Sequence, residues 1–296
     1  MDKKYITGIF IIVLIFVFII LFPPNNLLLG LVNYISENYF NIFLIDYNSP
    51  HKDQWYLNKF ENTKNYNFDV VCNDKKIYNM KYWYTDMNSD ITIIYFPGYK
   101  TTRAYSFGVN RSRIIPIMLD VNFASCDYRG TADINGTYTE DNMLEDSYNY
   151  IKYIIMTHKP KNIILYGFSI SCNIVIGLNR LINDNSTISG IILEAPILSF
   201  SDNSSLLNSY YSNLLKYNYK FISNKQYLLD INCPIFILHS THDPISLSIN
   251  SVQLTENLVE LNKKVYLNIV KKYGHNNLLK SYEIIEKMKM FINVLI

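Results

Sequence analysis

No cofactor signature occurs in this chain. Its 10 glycines nowhere form the G-x-x-x-x-G-K-[ST] loop that cradles nucleotide phosphates, nor the G-x-G-x-x-G turn of a dinucleotide site. No cofactor is therefore expected. The four cysteines, Cys72, Cys126, Cys172 and Cys233, lack C-x-x-C spacing, which excludes the usual zinc and redox motifs. Buried free thiols are the default for such residues, and the sequence selects no disulfide pair. The formal net charge is +2, too near balance to point to nucleic acid. There is no internal repeat.

What is abundant is tyrosine (26 residues), isoleucine and asparagine, a bias expected from A·T-rich coding. Asparagine richness also explains the N-x-[ST] triplets at Asn110, Asn135, Asn185 and Asn203. They permit glycosylation without implying it.

Residues 6–22 are apolar apart from Thr7 and carry no charge. Their length lies at the lower end of the roughly 17–25 residues that cross a bilayer as a helix. A cleaved signal peptide needs a shorter apolar region and a small-residue cleavage site, whereas Phe22-Pro-Pro-Asn-Asn26 follows here. The expectation is an uncleaved transmembrane anchor after a short stub at 1–5. Lys3 and Lys4 precede it, and no Lys or Arg follows until Lys52. The positive-inside bias then places the N-terminus in the cytosol and the remainder on the lumenal or outer face. Residues 23–65 read as a helical connector. A second span there would bury Glu37 and several amides, at a cost of a few kcal/mol each.

From residue 66 to 296 apolar strand-like runs alternate with helix-like stretches. The strand candidates are 67–72, 77–84, 91–96, 122–127, 162–166, 190–193, 235–239 and 264–270. The later ones are short, rich in Ile and Leu, and without alternation, as strands buried on both faces should be. Helices are expected over 139–158, 170–182, 247–261 and 277–294. In the first, Met143, Leu144, Ile151, Ile154 and Ile155 fall at helical spacing, and Glu140 and Asp141 lie in the first turn, where the helix dipole favours them. Strands alternating with helices imply an α/β fold with a mostly parallel, doubly wound sheet. The first two strands, joined by Asn73-Asp74-Lys75, read as an antiparallel N-terminal edge. Residues 199–225 break the rhythm and form either a cap or a long surface connection.

Three polar residues fall just past strand ends. Ser169 sits in Gly167-Phe168-Ser169-Ile170-Ser171, Asp243 in His239-Ser-Thr-His-Asp-Pro244, and His275 in Tyr273-Gly-His-Asn-Asn277. The first approximates the G-x-S-x-G nucleophile elbow, and Ser, Asp, His is the chain order of the triad built on it. In an open α/β sheet, sites form beyond the carboxyl ends of the strands. A serine hydroxyl needs a base to take its proton and a third group to orient that base; His275 and Asp243 are the candidates. Separately, each has a plainer explanation: a helix cap, a turn before proline, a solvated loop histidine. Glu194, at the end of the 190–193 strand, is a rival acid. His239 and His242 flank the acid's strand end, while His51 and His158 lie outside the pattern. Oxyanion donors are expected from the N–H of Ile170, and from Tyr99 after Gly98 in the loop Tyr95-Phe-Pro-Gly-Tyr-Lys-Thr101.

Taken together, Tyr95-Phe-Pro-Gly98, Asp127-Tyr-Arg-Gly130 with Asn135-Gly136 and Asp146, Leu165-Tyr-Gly-Phe-Ser169, Cys233-Pro-Ile-Phe-Ile-Leu-His-Ser-Thr-His-Asp243 and Gly274-His-Asn276 resemble the α/β-hydrolase superfamily. The likeness is to its branch of serine hydrolases with a single N-terminal membrane anchor, and it covers residue 77 to the C-terminus. It implies Ser169 as nucleophile, Asp243 as acid, His275 as base, and Ile170 with Tyr99 as oxyanion donors. The implied activity is cleavage of acyl esters or thioesters through an acyl-enzyme, with an acylated or lipid-like substrate. In three places the chain departs from the pattern. The family's His-Gly of the oxyanion loop is Pro97-Gly98, its second elbow glycine is Ser171, and its His-Gly near the acid is His239-Ser240. Two other readings stay open: a peptidase or amidase on the same fold, and an inactive hydrolase-like binding or scaffold protein.

Overall fold

The computed structural model describes residues 62–99, 101–104, 106–182, 188–198 and 220–295. The expected stub at 1–5, the span at 6–22, the connector as far as residue 61 and the candidate cap from 199 to 219 lie outside these residues. Among the described residues no helix is long and apolar enough to cross a membrane.

Eight strands among the described residues form one sheet: β1 (Thr63–Val71), β2 (Ile77–Thr85), β3 (Ile91–Phe96), β4 (Asn122–Cys126), β5 (Asn162–Phe168), β6 (Ile188–Glu194), β7 (Ile235–Ser240) and β8 (Val265–Val270). Their order is β1-β2-β4-β3-β5-β6-β7-β8. β1 pairs with β2, and β2 with β4, antiparallel; every later pairing is parallel. All eight expected strands are present. β1 starts at Thr63, inside the stretch read from sequence as connector.

The helices are α1 (Ser106–Leu119), α2 (Glu140–His158), α3 (Ser171–Leu178), α4 (Lys225–Leu229), α5 (Ile249–Glu260) and α6 (Tyr282–Val294). α2 starts where expected, because the Thr139 side chain accepts from the Asn142 N–H as an N-cap. It stops at Lys159, which is left-handed at φ 49°, ahead of Pro160. α1 is not among the helices expected from the sequence; Pro116 lies inside it, although proline normally ends a helix. The expected helix over 277–294 is split: a 3₁₀ turn at Leu278–Lys280 gives way at Ser281, whose side chain caps α6 by accepting from the Ile284 N–H.

Alternation within the strands feeds two apolar layers. Ile94, Phe96 and Leu165 face Met143, Ile151 and Ile154 of α2, with Ile174 of α3 and Leu254 of α5. Ile93, Tyr95, Ile164 and Tyr166 face Ile115 of α1 and Ile284, Met288 and Phe291 of α6. The parallel strands therefore end along one sheet edge, where the loops after β3, β5, β7 and β8 meet.

Candidate active site

Ser169 occupies the turn between β5 and α3 with φ 58°, a left-handed conformation that costs a non-glycine residue about 1 kcal/mol or more. The turn closes because Gly167 lacks a side chain: a Cβ there would sit 2.6 Å from the Ser171 carbonyl oxygen. The Ser169 N–H donates to the Glu194 carbonyl at 2.8 Å, fixing the turn to β6. Ser169 does not cap the helix; Ile170 holds that position, with no side-chain cap bond.

Asp243 follows β7. Its Oδ1 accepts the Ile245 and Ser246 N–H groups at 2.8 and 2.9 Å, so the turn role allowed by the sequence is real. Its Oδ2 lies 2.6 Å from His275 Nδ1. A carboxylate only accepts, so His275 carries its proton on Nδ1, leaving the Nε2 lone pair for the Ser169 hydroxyl at 3.0 Å. Burial raises the Asp243 carboxyl. Hydrogen bonds from His239 and His275, the His275 charge and the Ser246 N–H outweigh it and hold the group below the usual carboxylate range. All three residues are buried.

The loop after β3 runs directly beside this turn. A Cβ on Gly98 would lie 2.8 Å from Phe168 Cδ1 and 3.0 Å from Ser169 Cβ, so only glycine lets the loop approach so closely. Tyr99 is therefore next to the Ser169 turn, and Ile170 opens α3 from it. Glu194 is taken up elsewhere. It accepts from Arg111 Nε and a terminal nitrogen at 3.1 and 2.6 Å and from the Tyr166 hydroxyl at 2.5 Å, while His275 Nδ1 is on Asp243. Among the other histidines, His242 bonds Thr241 and the Lys272 N–H. His158 stacks on Tyr84 and bonds the Tyr82 hydroxyl. His51 lies outside the described residues.

Arg111 and Arg103 carried no sequence signal of their own. Arg111 lies over the Phe168 ring at 4.1 Å, and Phe168 packs against the His275 ring at 4.9 Å. Arg103 pairs with Asp127, its backbone N–H donating to Oδ1 at 2.7 Å, which ties the loop after β3 to the end of β4. Arg129 is held by Asp146 and Glu145. The Asp127–Gly130 motif thus braces the loops beside the site. The sequence marks His239 only as a flank of the acid, although it is one of two polar residues in β7, beside Ser240. Among the described residues no cluster of three His, Cys, Asp or Glu suits a metal ion, and all four cysteines are free.

This architecture is the α/β-hydrolase fold. An α/β hydrolase from Vibrio vulnificus superposes with a TM-score of 0.66 at 15% identity, covering 93% of this chain and 95% of that one. An esterase from Pyrococcus furiosus, Pf2001, superposes with a TM-score of 0.62 at 18% identity over 81% of this chain and 92% of that one. In sequence, the lysophosphatidylserine lipase ABHD12 of Macaca fascicularis is 25% identical over 179 residues, 55% of this chain and 44% of that protein. The mouse protein of the same name is 24% identical over 179 residues. The matched stretch thus spans less than half the length of these curated relatives. No family model matches the chain.

Proposed function

We propose that this protein is a membrane-anchored serine hydrolase that cleaves acyl esters or thioesters of lipid-like substrates through an acyl-enzyme. The observation carrying this reading is the unbroken line Asp243 Oδ2–His275 Nδ1, His275 Nε2–Ser169 Oγ, at 2.6 and 3.0 Å, ending on a serine held in a strained turn. In this mechanism His275 Nε2 takes the Ser169 proton as Oγ attacks the acyl carbon. The N–H groups of Ile170 and Tyr99 hold the resulting oxyanion. His275 then gives the proton to the leaving alkoxide or thiolate, and water repeats the sequence to release the acid.

The lipid-like substrate is supported by the lipase names of the sequence relatives and by the apolar run at 6–22, proposed as an uncleaved anchor with the hydrolase domain on the lumenal or outer face. Covalent labelling with a fluorophosphonate tests the nucleophile. Label on Ser169, lost in Ser169→Ala and His275→Ala, supports the reading, and a panel of lysophospholipids and acyl thioesters then defines the substrate. Absence of label on folded protein overturns it in favour of an inactive binding protein.

A further inference from the structure

Two of the positions at which this chain departs from the hydrolase pattern, Pro97 and Ser171, touch one another. Ser171 is fully buried at the start of α3. Its Oγ lies 2.5 Å from the Pro97 carbonyl oxygen and 2.8 Å from the Tyr128 hydroxyl. A carbonyl has no proton to give, so Ser171 donates to Pro97 and Tyr128 donates to Ser171. A glycine at 171 would offer the carbonyl nothing, and Pro97 has no N–H of its own to anchor the loop.

The bond sets the direction of a peptide. The described chain has no cis peptide, and a trans unit points its N–H opposite to its carbonyl. Drawing the Pro97 carbonyl towards α3 therefore turns the Gly98 N–H away from it. The next unit is held as well: the Gly98 carbonyl accepts from Thr101 N–H at 3.2 Å and Thr101 Oγ1 at 2.8 Å, which sets the Tyr99 N–H. Both peptide planes flanking Gly98 are thus clamped, one by α3 and one by the loop itself, while Gly98 lies against Ser169.

We propose that Ser171 is a positioning residue that aims the loop carrying the Tyr99 oxyanion donor by holding the carbonyl of Pro97. The proposal rests on the hydrolase reading above. It takes the serine at the second elbow position as a replacement anchor.

The test uses the full chain in detergent, comparing wild type, Ser171→Ala and Ser171→Gly. Both replacements are smaller than serine and fit the turn, so each guards against misfolding of the other; cooperative thermal unfolding verifies this. The readouts are the fluorophosphonate labelling rate at Ser169 and steady-state hydrolysis of p-nitrophenyl butyrate. A misaimed oxyanion donor should slow labelling and lower kcat by about ten- to a hundredfold, with KM within about twofold. Folded variants that match the wild type, or that change only in KM, overturn the proposal. A wild type that takes no label at Ser169 instead overturns the hydrolase reading, and this inference with it.

Discussion

His239 Nε2 lies 3.4 Å from the same Asp243 Oδ2 atom that His275 Nδ1 meets at 2.6 Å. One carboxylate oxygen therefore serves two histidines. His239 Nε2 also faces the Ser246 carbonyl at 3.0 Å, and its Nδ1 meets Ser251 Oγ at 2.6 Å. Because Nε2 faces only acceptors, it carries a proton; the Ser251 hydroxyl donates to Nδ1 when the ring is neutral. Removing this ring strands buried polar groups and leaves a void. His239→Ala should cost about 2–4 kcal/mol of stability, read as a lower urea midpoint. An unchanged midpoint would mean that His239 does not brace the acid.

Asp243 also has a pH signature. Its carboxyl is held below the ordinary carboxylate range. A depressed folded-state pKa contributes stability that is present above the unfolded value and is lost as pH falls through the folded one. The wild type should therefore exceed Asp243→Asn in stability at about pH 5 by a margin that shrinks as the pH falls below about 4. Thermal unfolding across that range measures the margin. A margin that widened as the pH fell below about 4 would contradict the depressed carboxyl pKa. At neutral pH, Asp243→Asn should reduce turnover by about three to four orders of magnitude, because the wrong tautomer of His275 is then favoured.

Local patterns made the strands legible. Runs such as Ile91–Phe96 and Ile235–Ser240 are short and mostly apolar, and Ser169, Asp243 and His275 each follow such a run, so their convergence at one end of the sheet was readable. α1 was hidden by Pro116. The insertion of β4 between β2 and β3 was hidden because strand pairing is decided across the fold. The same applies to Arg111 and Glu194, which are 83 positions apart: a pairing at that separation has no periodicity. Ser171 read as a lost glycine, since its carbonyl partner is 74 positions away.

Gly98→Ala should damage the site from outside the triad. The new Cβ would meet Phe168 and the Cβ of Ser169 at 2.8 and 3.0 Å, both held by the strained turn and by the contacts of the Phe168 ring with Arg111 and His275. Overpacking of this kind costs about 1–3 kcal/mol. The labelling rate at Ser169 should fall more steeply than stability does. A variant that labels like wild type would show that the loop can retreat without consequence.

The proposed membrane attachment can be tested apart from folding. If residues 6–22 form the anchor, the full chain should stay in the pellet after a high-pH carbonate wash, and deletion of residues 1–22 should release it. The sequon residues Asn110 and Asn135 are exposed. A hydrolase domain on the lumenal face should therefore acquire an endoglycosidase-sensitive mass at one or both, lost on Asn→Gln substitution. Carbonate-resistant protein without that mass would favour the opposite orientation.

Arg111 and Glu194 form a buried pair beneath the nucleophile turn, exposed by only 2% and 0% at their side chains. Burial disfavours the Arg111 charge, but Glu194, Tyr95 and Tyr166 outweigh it and raise its pKa. Removing one member of such a pair leaves an uncompensated buried charge and costs about 3–5 kcal/mol. Glu194→Leu and Arg111→Leu should each do so, and the double replacement should recover most of the loss, giving a coupling above about 2 kcal/mol in a double-mutant cycle. The pair also touches the site. Arg111 lies on Phe168, Phe168 packs on His275, and the Glu194 carbonyl accepts from the Ser169 N–H. The double variant should therefore regain stability without regaining the full labelling rate, because Phe168 loses the guanidinium that backs it. Recovery of both together would confine the pair to a stabilising role, and additive losses would show that the two charges do not depend on one another.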